Sequence, residues 1–296
     1  MLLYTKRIGD ISGVAVFRAM ITTINKERFF DETLLFHPRM RGKRSGGTDR
    51  SGKKIFSDGA GDPGIGGRME NTEIADLKPE NATKTKFMLE KAGITPVVLG
   101  TSCMFHTEEL SARAMREGRD SICIAEAVGI PYIRVFGNRI AGDRADCIRR
   151  VSEGIAGLCR FAADKNVSVL LEVHGDYNTA EALAPILKAL EGCENFGLIW
   201  DVAHSHRVYG ENWQVFYRAI RPWIRHVHIK DLSDKTGALT LPGEGNIPIL
   251  PIVRQLLTDG YDGYFSLEWE RKWHPELPDI GLALTDFTGL MKEVRE

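Results

Sequence analysis

From about residue 88 onward, short apolar runs alternate with helical patterns without an intervening linker, and nothing else in the 296-residue chain constrains its fold as strongly. The runs are ITPVVLGTS, PYIRVFG, VSVLLEVHG, FGLIWDVAH, IRHVHIKD and GYFSLEWE. Each is nearly continuous in apolar residues and short, as expected of a strand buried on both faces. Between them lie helical stretches. The first is capped by Thr107 and runs to about Gly129, with Glu108 and Glu109 in its opening turn where the helix dipole favours acids. Others cover CIRRVSEGIAGLCRFAADK, Thr179 to about Leu190, WQVFYRAI, LPIVRQLLTDG and a last segment reaching about Val294. Such alternation implies a parallel sheet with right-handed crossovers. Six strand-helix units are present, and two more would close an eightfold barrel, for which the chain has room. The expected fold class is α/β, a (β/α)8 barrel forming a single domain over residues 1–296.

The first quarter fits this pattern less well. GVAVFRAM and ETLLFHPRM are candidates for the first two strands, but the pattern between them is poor. Residues 41–68 hold nine glycines and seven basic residues with little apolar content, so a flexible Gly-rich basic loop is expected there. A lid or phosphate-binding loop is the sharper alternative, yet neither a P-loop nor a dinucleotide-binding glycine fingerprint occurs.

Charge excludes some partners. Lysine and arginine number 39 against 40 aspartate and glutamate, so the net charge of −1 offers no bulk attraction to nucleic acid or to an anionic membrane. A small-molecule partner is expected instead. Five cysteines, odd in number and without a CxxC pair, point to reduced thiols in a cytoplasmic protein. No apolar run reads as a signal peptide or a membrane span.

Chemistry concentrates at the strand ends. Residues two apart on a strand share a face, which pairs Glu172 with His174, His226 with His228 and Lys230, and Glu268 with Glu270. In a barrel, the C-terminal ends of the strands form the active-site face. Glu172, Asp201, His228 and Glu268, from four successive strands, would surround a cation with three carboxylates and one imidazole. Such a donor set suits Mn²⁺ or Mg²⁺, with Co²⁺ possible and Zn²⁺ less favoured. A solvated strand-end acid is the commoner explanation for any one of them, but four at matching points would repel one another without a compensating ion. His226 is expected one layer deeper, hydrogen-bonded rather than ligating. His174 and His204 could be core histidines, though their place beside the ligands favours substrate contact. Arg134 and Lys230 either neutralise the acidic cluster or hold a substrate oxygen, carboxylate or phosphate. Glu270 is assigned to substrate contact as well. Glu244, in the PGEG turn, is either turn chemistry or a loop residue reaching the site. Trp269, Trp273 and His274 are expected at the mouth, as an aromatic rim or a lid anchor.

LLLEVHG, WDVAH, HVHIKD, PGEG and SLEWE, in this order, make the chain resemble the xylose isomerase-like TIM-barrel superfamily, the sugar phosphate isomerase/epimerase group. The resemblance covers about residues 88–296 and implies a TIM barrel with Glu172, Asp201, His228 and Glu268 as metal ligands. In the ketose 3-epimerase members the two metal-bound glutamates are also acid and base, which implies that role for Glu172 and Glu268. The histidine of D-x-x-H, here His204, looks like the one that contacts substrate. The implied reaction is isomerisation or epimerisation of a sugar, sugar phosphate or keto-polyol, by proton abstraction beside a carbonyl through a metal-stabilised enediolate. Loss of a β-hydroxyl from the same species would give dehydration, as in the family's inosose dehydratases. A non-catalytic metal- or sugar-binding protein is a further alternative. The barrel's DNA-cleaving members need additional histidines on earlier strands, and PYIRVFG offers none. A homodimer or homotetramer is implied by the resemblance alone.

Overall fold

Three short strands open the structure, a computed structural model that describes residues 2–7, 18–19, 32–36, 77–91, 94–271 and 274–294. They are β1 (Leu2–Arg7), β2 (Arg18–Ala19) and β3 (Glu32–Phe36). The loop expected at 41–68 lies outside the described residues. A regular alternation follows, with α1 (Pro79–Lys91), β4 (Ile94–Met104), α2 (Glu108–Val128), β5 (Tyr132–Phe136), α3 (Arg144–Ala162), β6 (Ser168–Glu172), α4 (Ala180–Ala189) and β7 (Phe196–Asp201). Helices α5 (Val202–Tyr209) and α6 (Trp213–Ile220) then lead to β8 (Ile224–Ile229). Beyond it come the small hairpin of β9 (Asp231–Leu232) and β10 (Leu239–Thr240), α7 (Ile249–Thr258), β11 (Tyr264–Trp269) and α8 (Ile280–Glu293).

The six apolar runs become β4, β5, β6, β7, β8 and β11, parallel neighbours in that order within one curled sheet. Their central residues are fully buried, among them Ile133, Val135, Val169, Leu171, Leu198, Trp200, Val227, Phe265 and Leu267. Helices cover the outer face. Behind β7, Trp200 stacks on Tyr217 and its indole N–H donates to Ser205 Oγ at 2.8 Å. Helix α2 begins where the sequence places it, with the Thr107 hydroxyl accepting from the amide of Leu110, and ends on Gly129 at φ 84°, a left-handed conformation suited to glycine.

The edges differ from the expected two further strand-helix units. β1 runs antiparallel to β4 and β2 antiparallel to β1, while β3 runs antiparallel to β11 at the opposite edge. β3 also approaches β1 and β2, so the edges of the curled sheet come together. GVAVFRAM and ETLLFHPRM do supply strands, β2 and β3, but MLLYTKR, which the sequence reading passed over, supplies the longest of the three. Adjacent parallel strands need a crossover of a dozen or more residues, usually helical, whereas antiparallel ones do not. That difference accounts for the pairing of the consecutive strands β1 and β2, whereas β1–β4 and β3–β11 join strands distant in sequence.

Candidate metal centre

Glu172 ends β6, Asp201 ends β7, and His228 and Glu268 are next to last in β8 and β11. Cross-strand register sets them on one face of the sheet. Glu172 lies beside Ile199, Asp201 beside His228, and His228 beside Ser266, two residues before Glu268. All four side chains are buried, and one donor atom from each lies within 4.8 Å of the others.

The donors converge rather than satisfy one another. His228 Nδ1 is 2.8 Å from Glu268 Oε1 and 3.5 Å from Glu172 Oε1. Even so, both ring nitrogens of His228, Glu172 Oε2 and Asp201 Oδ2 are buried without a well-aligned hydrogen bond. Charged neighbours stand close to three of these atoms, but among the described residues His228 Nε2 has no such neighbour, and a buried atom left so costs about 1–3 kcal/mol, which contact with a cation would offset. Asp201 divides its two oxygens: Oδ1 caps α5 by accepting from the amides of Ala203 and His204 at 2.9 and 3.2 Å, leaving Oδ2 facing the cluster. Three carboxylates and an imidazole, so arranged, fit a divalent cation.

Two cations already sit in the cluster. Arg134 on β5 brings Nη1 to 3.2 Å from Glu172 Oε2. Lys230 Nζ lies 2.8 Å from Asp201 Oδ2, 2.8 Å from Glu268 Oε2 and 2.7 Å from Glu270 Oε1. Burial alone would raise the Glu172 pKa, but the charge of Arg134 and the contact with His228 outweigh it and bring it to about 2. Glu268, equally buried, is held well below the carboxylate range by His228 and Lys230. Burial opposes the charged form of His228, yet Glu268 and Glu172 push its pKa up to about 10. One layer deeper, His226 shares a hydrogen bond with Ser266 Oγ. Burial, helped by the charge of His228, drives its pKa well below the imidazole range, so His226 is neutral.

His174 and His204 line the mouth, partly exposed, with ring centroids 4.0 Å apart. His204 Nε2 is 3.8 Å from Asp201 Oδ2. Burial and the neighbouring His204 lower the His174 pKa. Phe136 stands edge-on to His174 at 5.4 Å, and the Arg134 guanidinium lies 4.3 Å from the Phe136 ring centroid. The sequence reading did not single out Phe136, although its place at the end of a barrel strand was a usable signal. Glu244 is exposed and accepts a long hydrogen bond from Thr240, so it acts within its turn. Trp269 is not on the rim: strand alternation turns it away from Glu268, and it is buried with its indole N–H donating to Pro278 O at 3.0 Å. Trp273 lies outside the described residues, and His274 Nε2 stands 3.9 Å from Glu270 Oε2. A second missed residue is Asp231. It is buried and accepts from the amides of Leu232, Gly243, Gly245 and Ile247, which fixes the PGEG loop beside the mouth. Gly245 is required there, because a Cβ would collide with the Asp231 carboxylate.

The family described as "Xylose isomerase-like TIM barrel" matches residues 64–286. The chain belongs to this family. Among curated relatives, an inosose dehydratase of Yersinia enterocolitica is 30% identical over 146 residues, 42% of this chain and 48% of that protein. A fructoselysine 3-epimerase of Escherichia coli O157:H7 is 24% identical over 124 residues, 40% of this chain and 44% of the relative. The chain thus spans about half the length of the curated relatives it matches. A crystal structure of the IOLI protein with a bound zinc atom superposes with a TM-score of 0.62 at 19% identity, covering 74% of this chain and 82% of that one, which shows the shared fold. Among the described residues no helix is long and apolar enough to cross a membrane.

Proposed function

We propose that the protein is a divalent-metal-dependent isomerase or epimerase acting on a small carbohydrate, a sugar, sugar phosphate or keto-polyol. The observation that carries this reading is the convergence of four buried donor groups from β6, β7, β8 and β11 within 4.8 Å of one another. Mn²⁺ is the proposed ion, to be held by Glu172, Asp201, His228 and Glu268. When bound it would polarise a carbonyl and an adjacent hydroxyl, easing loss of a neighbouring C–H proton.

The chain's own groups supply the rest. Glu172 and Glu268 both reach Nδ1 of His228, at 3.5 and 2.8 Å, from strands on opposite sides of β8, and both are held ionised by neighbouring cations. One carboxylate takes the proton, and the other returns one to the opposite face for epimerisation or to the next carbon for isomerisation. His174 and His204 offer ring nitrogens at the mouth for substrate hydroxyls, His204 in the role carried over from D-x-x-H and His174 by its place beside the ligands. Arg134 secures Glu172 from outside the donor set. A second reading is favoured by the 30% identity to an inosose dehydratase: the same pair of carboxylates would abstract a proton and assist loss of a β-hydroxyl.

Incubation with ketoses and inososes in D₂O, with Mn²⁺ added, separates the readings by NMR. Deuterium entering beside the carbonyl with epimer or isomer formation supports the first. A dehydrated product, the enol or its 1,2-dione tautomer, identifies the lyase. No exchange with any substrate despite bound metal would leave a metal- or sugar-binding protein and end the catalytic proposal.

A further inference from the structure

Lys230 occupies an unusual place for a residue expected to meet substrate. The residue is 5% exposed, and its ammonium hydrogen-bonds Glu268 and Glu270 while pairing with Asp201, all within 2.8 Å. An ammonium has three N–H donors, and three carboxylates already surround this one. Two of them, Asp201 and Glu268, belong to the donor set and come from strands that are not adjacent, with β8 between them. Glu270 is different: it lies one strand step beyond Glu268 toward solvent, is partly exposed, and takes no part in the group of converging donors.

The charges of the cluster are informative. Glu172, Asp201, Glu268 and Glu270 are opposed by Arg134 and Lys230, which leaves two negative charges when His228 is neutral. A divalent ion closes that balance. Without Glu270 the ammonium of Lys230 would be shared by Asp201 and Glu268 alone, and its field would act more fully against an incoming cation.

We propose that Lys230 is a positioning residue that holds Asp201 and Glu268 at a fixed separation across β8, and that Glu270 draws its charge toward the mouth. This rests on the reading of Glu172, Asp201, His228 and Glu268 as ligands, and it assigns Lys230 and Glu270 to the cation rather than to substrate. Lysine suits the task because its three donors radiate tetrahedrally from one compact atom, whereas the donors of arginine are spread over a rigid plane and cannot converge on the same point.

The test is Mn²⁺ titration of the full chain after chelation, following free Mn²⁺ by electron paramagnetic resonance, with thermal unfolding recorded alongside. Glu270→Gln is expected to unfold close to the unaltered protein yet bind Mn²⁺ about tenfold more weakly. Lys230→Arg keeps the charge and loses the geometry, and is expected to weaken binding by a similar factor. A role confined to neutralising charge would leave the affinity of Lys230→Arg unchanged, and one confined to packing would lower the melting temperature while leaving that affinity unchanged. Affinity within twofold of the unaltered protein in either variant overturns the proposal, and Glu270→Gln decides the matter should Lys230→Arg fail to fold. Failure of the unaltered protein to take up Mn²⁺ is a separate result, which removes the ligand reading itself and this inference with it.

Discussion

Replacing Glu268 by glutamine removes one charge and keeps the shape, and the structure allows its consequences to be sized. Glu268 contacts His228 Nδ1 through Oε1 and Lys230 Nζ through Oε2, each at 2.8 Å. Contacts to charged groups contribute about 1.5–3 kcal/mol each when a partner is left unpaired. Neither partner is abandoned here, since Lys230 keeps Asp201 and Glu270 and His228 keeps Glu172. A loss of about 2 kcal/mol is therefore expected, below the roughly 3–6 kcal/mol that two abandoned contacts would cost, which lowers the melting temperature by about 4–8 °C at this chain length. Metal binding should suffer more. Outer-shell changes alone cost about 10- to 100-fold in affinity, so loss of a direct donor should exceed about 100-fold. At saturating Mn²⁺, exchange of the substrate proton with solvent should fall by about 10²- to 10⁴-fold, the usual worth of a positioned acid or base. Calorimetric unfolding, Mn²⁺ titration and NMR in D₂O measure the three quantities on the same variant. A melting temperature lowered by the stated amount with Mn²⁺ affinity and exchange both intact would refute the reasoning, because Glu268 would then be a structural acid only.

Two further outcomes can be checked. The His228 pKa is raised to about 10 by Glu268 and Glu172 against the effect of burial, so at neutral pH the ring holds a proton that a cation on Nδ1 must displace. Raising the pH removes that competitor: Mn²⁺ affinity should increase about tenfold per pH unit between about pH 6 and 8, with about one proton released per ion, as calorimetry in buffers of different ionisation heat will read. Zero proton release would contradict it. Asp231→Ala leaves the amides of Leu232, Gly243, Gly245 and Ile247 without their acceptor, and should cost about 2–4 kcal/mol. Amide hydrogen exchange should accelerate at residues 241–247 before anywhere else, and uniform acceleration across the barrel would count against a local clamp.

The sequence carries the parallel part of the barrel because each of those strands is written in apolar residues and each is followed by a helix, side-chain-capped in every case but α7. Glu172, Asp201, His228 and Glu268 could be placed on one face because a strand has a period of two and all four stand at its polar end. The same rule, applied one residue further, would have turned Trp269 away from the mouth. Asp231 was not legible: its four partners are backbone amides, which leave no trace in residue type, and the loop that brings them together closes in three dimensions only. Lys230 was legible as a charge that needs a partner, but the number of its partners depends on how β7 and β11 flank β8. The antiparallel edges were hidden for a related reason. Strand direction is decided by the connection, and a weak helical pattern does not reveal which way a short strand returns.

One such edge has a practical consequence. β3 is hydrogen-bonded along β11 with Thr33 opposite Glu268, yet the family match begins only at residue 64. A recombinant fragment trimmed to that match would keep every proposed ligand but strip β11 of its outer neighbour, exposing a ladder of unsatisfied amides and carbonyls directly behind Glu268. Sticky, self-pairing material is the natural outcome of such trimming, and residues 32–36 belong in any truncated version meant to stay dispersed.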